Sequence, residues 1–146
     1  MTQTISDDAD YTAYGAALLR VSLGTMMAAH GLLKLLVFTP AGTAAFFESI
    51  GFAGFLAYPV IAAEIIGGAA LILGFKTRMV ALALVPLMIG ATVPHMANGW
   101  LFSSPNGGWE FPVFWAVALI VQALLGRGAF AIDNARIASA PQAQAA

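Results

Sequence analysis

The sequence predicts an all-α integral membrane protein, an antiparallel four-helix bundle with a short interfacial or re-entrant helix between helices one and two. Two observations carry that expectation. Of 146 residues, 60% are hydrophobic and 9% charged, with a mean hydropathy of +0.86. An ordinary soluble domain is about 25% charged. Six Lys or Arg and seven Asp or Glu cannot cover a water-soluble domain of this size, and a bilayer removes the need. In addition, four apolar segments reach or approach the ~20 residues that cross about 30 Å at 1.5 Å per residue.

The N-terminal MTQTISDDADYTAYG has three aspartates and no Lys or Arg, the reverse of a signal peptide's basic start. Residues 1–13 are therefore expected to form an uncleaved, exposed tail, and residues 14–133 the transmembrane domain. Helix one runs from about Tyr14 to Phe38. In the following FTPAGTAAFFESIGFAGFLAYP, Thr39 can cap a helix that begins at Pro40 and closes at Gly51. Phe46, Phe47, Ile50, Phe52 and Phe55 make this stretch too apolar for a free loop, and it is too short to span.

Helix two extends from about Tyr58 to Phe75 and helix three from about Thr77 to Met96, with Pro86 at its middle expected to kink it. GFKTR joins them, with Gly74 as C-cap and Lys76 and Arg78 within reach of headgroups. The loop ANGWLFSSPNGGWE places Trp100 and Trp109 at an interface. Helix four, from about Trp109 to Leu125, is the shortest and stands nearly upright. The small, polar run ASAPQAQAA ends a stretch, residues 134–146, that is expected to be disordered.

With the N-terminus inside, Lys76, Arg78, Arg127 and Arg136 all fall on the cytoplasmic side, and the two outer loops hold no Lys or Arg. Both termini are therefore expected in the cytoplasm. A formal charge of −1 supplies no basic field for nucleic acid. Without cysteine there is no disulfide, thiol couple, Fe–S cluster or covalent haem, and a metal would need His, Asp or Glu.

Charged residues at helix centres cost at least ~2.5 kcal/mol on insertion scales, so each calls for a partner or a role. By helical rise, His30 lies roughly 12 Å, Lys34 about 6 Å and Glu64 about 9 Å below the outer ends of their helices. His95 ends helix three on that side, just after Pro94. His30, Lys34, Glu64 and His95 are the candidate polar pocket. Glu110 opens helix four there, where an acid also favours the helix dipole. A second, inner layer of Arg20, Gln122 and Arg78 is expected to be structural, with Arg20 and Gln122 bonding each other or backbone carbonyls. Gly24, Ala28, Gly67 and Gly68 allow close approach of helices one and two.

Plainer readings stand beside these. Lys34 and Arg20 can snorkel to headgroups. Glu64 can pair with Lys34 or His30 for structure alone, or be neutral through desolvation. His95 can be an ordinary interfacial residue. Met26, Met27 and the phenylalanines fit packing rather than cofactor contacts.

The succession LLRVSLGTMMAAHGLLKL, AEIIGGAALILGFKTRMVALAL and GRGAFAID resembles the DoxX family of small bacterial membrane proteins, over nearly all of residues 16–133. Its most specific parts are Arg20, His30-Gly31 with Lys34, Glu64 with Gly67-Gly68, and the Gly74 to Arg78 turn. The family's closing Gly-Pro-Gly-Arg run followed by Ser and Asp is kept only in part. Gly126, Gly128 and Asp133 match, whereas Arg127 takes the proline place and Ala129 and Ala131 replace Arg and Ser. The resemblance implies a bundle in the bacterial inner membrane, linked to quinol-dependent respiratory or oxidative-stress systems.

Three functions stay open. The first is a redox component that takes a quinone headgroup in the outer pocket, with no tightly bound cofactor or metal of its own. The second is b-type haem or a metal held by His30 and His95 with Glu64 nearby, which a Soret band would reveal. The third is a non-catalytic accessory subunit or scaffold, or a small-solute or proton transporter. Beyond the lipid bilayer, the expected partner is a membrane or membrane-associated protein or a second copy of the chain.

Overall fold

No proline or glycine interrupts residues 2–14, so nothing prevents a helix from starting at the very beginning of the chain. In the computed structural model, which describes residues 2–134, α1 spans Thr2–Leu36. It thus begins well before Tyr14, and most of the expected tail over residues 1–13 is its first turns. Within them the Thr12 hydroxyl donates to the Asp8 carbonyl at 2.8 Å. The tail expected at residues 134–146 lies, from residue 135 on, outside the described residues.

α2 occupies Pro40–Ser49, with the Thr39 hydroxyl accepting from the Gly42 amide and Pro40 in the first turn. A 3-10 turn over Gly54–Leu56 leads into α3, Ala57–Leu73. Gly74 closes α3 at φ +73, where an added Cβ would meet Ala131 and the Arg20 guanidinium. Both the backbone angle and the crowding call for glycine there.

α4 spans Thr77–Thr92 and continues through Pro86. Pro94 has no amide to extend the ladder, and Val93–Asn98 tightens into a 3-10 helix. This is shorter than the α-helix expected to Met96. α5 spans Glu110–Leu125.

Asp8–Leu36, Gly54–Leu73 and Thr77–Asn98 are long and apolar enough to cross a membrane, whereas α5 is 16 residues, about 24 Å by helical rise. The outward faces are apolar too. Leu18, Ile66, Phe114 and Leu124 are 69–74% exposed, which suits acyl chains and not water.

The long helices alternate in direction. On α1 and α3, Arg20 bonds Leu71 and Lys34 bonds Glu64. On α1 and α5, His30 meets Trp115, while Gly128, just past α5, sits against Ala13 and Ala17. α1 packs on α3 and α4 on α5, and these pairs close on each other through α3–α4 and α1–α5 contacts. Leu23, Met27, Leu71, Leu84, Met88, Trp115 and Leu119 form the shared core.

The α1–α3 approach is set by small residues. A Cβ on Gly24 would lie 2.7 Å from the Gly68 carbonyl oxygen, and one on Gly68 would lie 2.6 Å from the Ala28 nitrogen. Both obstacles are backbone and cannot swing aside, so the helices touch at main-chain distance.

Candidate functional site

Lys34 stands in the last turn of α1 and Glu64 two turns into α3, and the antiparallel packing puts them side by side. The Lys34 ammonium donates to both Glu64 carboxylate oxygens, each at 2.8 Å. Glu64 is 2% exposed, whereas the Lys34 side chain keeps about a fifth of its surface. Gly31 makes room for this: a Cβ there would lie 3.0 Å from the Glu64 Cβ. An ammonium has three N–H groups, and only two are committed to the carboxylate.

One turn earlier, His30 Nδ1 lies 2.9 Å from the Met26 carbonyl oxygen. A carbonyl only accepts, so Nδ1 carries a proton and donates it, and in the neutral ring the lone pair is on Nε2. The imidazole meets the Trp115 indole edge-on, with centroids 5.0 Å apart. Trp115 is 4% exposed, and its indole N–H has no hydrogen-bond partner among the described residues. An indole nitrogen only donates, so this position lacks an acceptor.

His30, Lys34, Glu64 and Trp115 line a cavity of about 590 Å³. His95 lines it too, so all four residues of the expected pocket border one space. The remaining wall is apolar: Phe46, Phe47 and Phe52 from the α2 region, Pro59 and Val60 from α3, Met88 from α4. The phenylalanines read as packing therefore face this cavity as well.

His95 Nδ1 donates to the carbonyls of Asn106 and Gly107 at 3.1 and 3.0 Å, and the Asn98 amide donates to the same two. His95 thus holds the loop before α5 against the end of α4. The Glu110 carboxylate does similar work, accepting from the Phe102 amide at 2.8 Å. Among the described residues no group of three or more His, Asp and Glu is arranged to hold a metal ion.

The inner polar residues lie at the other end. Arg20, 1% exposed, donates through Nη1 to the Leu71 and Ile72 carbonyls at 2.7 Å and through Nη2 to the Ala129 carbonyl at 3.0 Å. It adds a donor to carbonyls at the C-terminus of α3, where Leu71 also accepts from the Gly74 amide, and ties in the segment after α5. The Gln122 side-chain amide donates to the Gly126 carbonyl at 2.7 Å, and its Oε1 has no partner among the described residues. Arg20 and Gln122 therefore bond backbone carbonyls and not each other. Arg78 lies beside the Gly126 backbone.

The family model described as DoxX matches residues 15–97. The chain belongs to the DoxX family. This DoxX chain is also 34% identical over 125 residues to "Putative oxidoreductase CatD" of Bacillus subtilis (strain 168), covering 82% of this chain and 84% of that protein. No solved structure matches. The matched DoxX region holds His30, Lys34, Glu64 and His95 together with the small-residue contact of α1 and α3.

Sequence reasoning missed Trp115 and the Met26 carbonyl. An indole placed mid-helix, away from the Trp100–Trp109 pair in the loop, was the available signal. For Met26 the signal was its position four residues before His30, where a side chain reaches back to a backbone carbonyl.

Proposed function

We propose that this DoxX protein holds a quinone headgroup in the cavity beside His30, as a component of a quinone- or quinol-linked redox or oxidative-stress system. The observation that carries the reading is the buried Trp115 indole N–H, which has no acceptor, in a wall it shares with His30 and Lys34. A quinone brings two carbonyl acceptors on a flat apolar ring. Trp115 and the third Lys34 N–H can donate to such carbonyls. The phenylalanines, Pro59 and Met88 suit the ring and an isoprenoid tail. Bound quinone would supply two-electron, two-proton redox chemistry. The chain's part is to orient the headgroup, exclude water and hold a proton at His30 Nε2.

The name of the Bacillus subtilis relative, "Putative oxidoreductase CatD", accords with this reading. So does a fold that joins a polar corner to an apolar cavity. The reading takes the protein as a multi-pass protein of the inner membrane with both termini in the cytoplasm, which the one-sided distribution of its basic residues supports. A second reading rests on the Lys34–Glu64 pair, which satisfies itself and serves equally in a scaffold or accessory subunit.

Calorimetric titration of a short-chain benzoquinone into purified protein in nanodiscs separates the two. His30→Ala, Glu64→Gln and Trp115→Phe should each weaken binding by about tenfold, the scale of one lost hydrogen bond in a dry site. Affinity unchanged in all three variants, or no binding by the parent chain, would leave the scaffold reading.

A further inference from the structure

At the end of the molecule away from His30, α1, the α3–α4 turn and the segment after α5 border an open cleft of about 580 Å³. We propose that this cleft binds a phosphate oxyanion, either the headgroup of an anionic phospholipid or free phosphate.

Charge is the first argument. Lys76, Arg78 and Arg127 line the cleft, and among the described residues that line it Asp133 is the one carboxylate. That carboxylate is already engaged, since its Oδ2 accepts from the Lys76 amide at 2.7 Å. Two guanidiniums and an ammonium around one space match the several oxygens of a phosphate, which a planar fork grips bidentately.

The second argument is independent of the basic residues. Thr77 opens α4 and lines the same cleft, yet it is 2% exposed and its hydroxyl has no hydrogen-bond partner among the described residues. Buried hydroxyls without partners are rare in folded proteins. α4 is a 16-residue helix whose N-cap residue, Lys76, makes no side-chain capping bond, and Asp133 takes the Lys76 amide. An oxyanion placed there accepts the Thr77 O–H and meets the positive end of the helix dipole.

Surroundings favour the lipid as the source. Met79 and Leu125 also line the cleft and are 67% and 45% exposed, an apolar border of the kind that acyl chains follow. A turn between two spanning helices lies at headgroup depth. Lysine and arginine next to spanning helices attract anionic leaflets.

Native mass spectrometry on the full chain tests the assignment. The parent protein is exposed in one arm to mixed phosphatidylglycerol and phosphatidylcholine micelles, and in the other to inorganic phosphate. Arg78→Gln with Arg127→Gln removes two exposed cations, and Thr77→Val removes only a hydroxyl at constant charge and shape. The preference for phosphatidylglycerol over phosphatidylcholine should fall about tenfold in the first variant and severalfold in the second, as expected for charge-assisted hydrogen bonds. Retention of inorganic phosphate with the same variant dependence would assign the same site to a soluble anion. If the arginine pair matters and Thr77→Val does not, the attraction is diffuse and the site is overturned. Binding that neither variant changes overturns it too.

Discussion

A carboxylate buried to 2% exposure calls for donors on its oxygens, and the Lys34 ammonium reaches both at 2.8 Å. The cost of losing such a pair lies mostly in the charge left behind. Lys34→Met should therefore destabilise the protein by about 3 kcal/mol, while Lys34→Met with Glu64→Leu should recover most of that loss. Thermal unfolding in detergent measures both. The double variant, folded yet without the ammonium, should still bind benzoquinone weakly. Depth counting brought His30, Lys34 and Glu64 together because rise along a helix is fixed, so residues at one level of antiparallel helices are neighbours. Trp115 was not legible in that way. Whether an indole finds an acceptor depends on how α5 is rotated and what faces it, and the sequence of α5 alone carries neither.

Among the elements, the contact of α1 with α3 has the least slack. Gly24 and Gly68 face each other through backbone atoms, so Gly68→Leu has no free volume to enter and must part the helices. It should lower stability by roughly 3 kcal/mol or more, and because the Lys34–Glu64 pair spans the same interface, quinone affinity should fall with it. A proteolysis or melting series alongside the titration checks both effects. Gly24, Ala28 and Gly68 stood out in the sequence because small residues at helical spacing have few other uses in a membrane helix. The start of α1 did not. Aspartates and tyrosines before Tyr14 read as a solvated tail, but without a helix breaker the helix continues to Thr2. At the other end, the Lys76 amide donates to Asp133 next to a lysine at φ +43. The partly kept closing motif thus acts as a clamp on the α3–α4 turn. Asp133→Ala should loosen that turn at a cost of about 1–3 kcal/mol, read as faster hydrogen exchange at Lys76 and Thr77.

For the whole molecule, composition was decisive about class: an outer surface carrying Leu18, Ile66, Phe114 and Leu124 is consistent with lipid and nothing else of this size. The proposed orientation is open to a direct check because the chain has no cysteine. A membrane-impermeant maleimide applied to intact cells should label Ser103→Cys and leave Tyr11→Cys unlabelled until the cells are opened, and the opposite pattern would invert the topology. How the cavity ends and the cleft begins could not be read from sequence, since both arise where three or four segments distant in the chain converge. The hydrogen bond from His30 Nδ1 to the Met26 carbonyl bears on what such a molecule can move. A proton wire through an imidazole takes a proton at one nitrogen and releases it from the other. Here the second nitrogen faces a peptide oxygen that cannot carry a proton onward, so whatever His30 gains at Nε2 must leave by the same door. The histidine is a cul-de-sac in the geometric sense, and a through-route across the bilayer would have to bypass it.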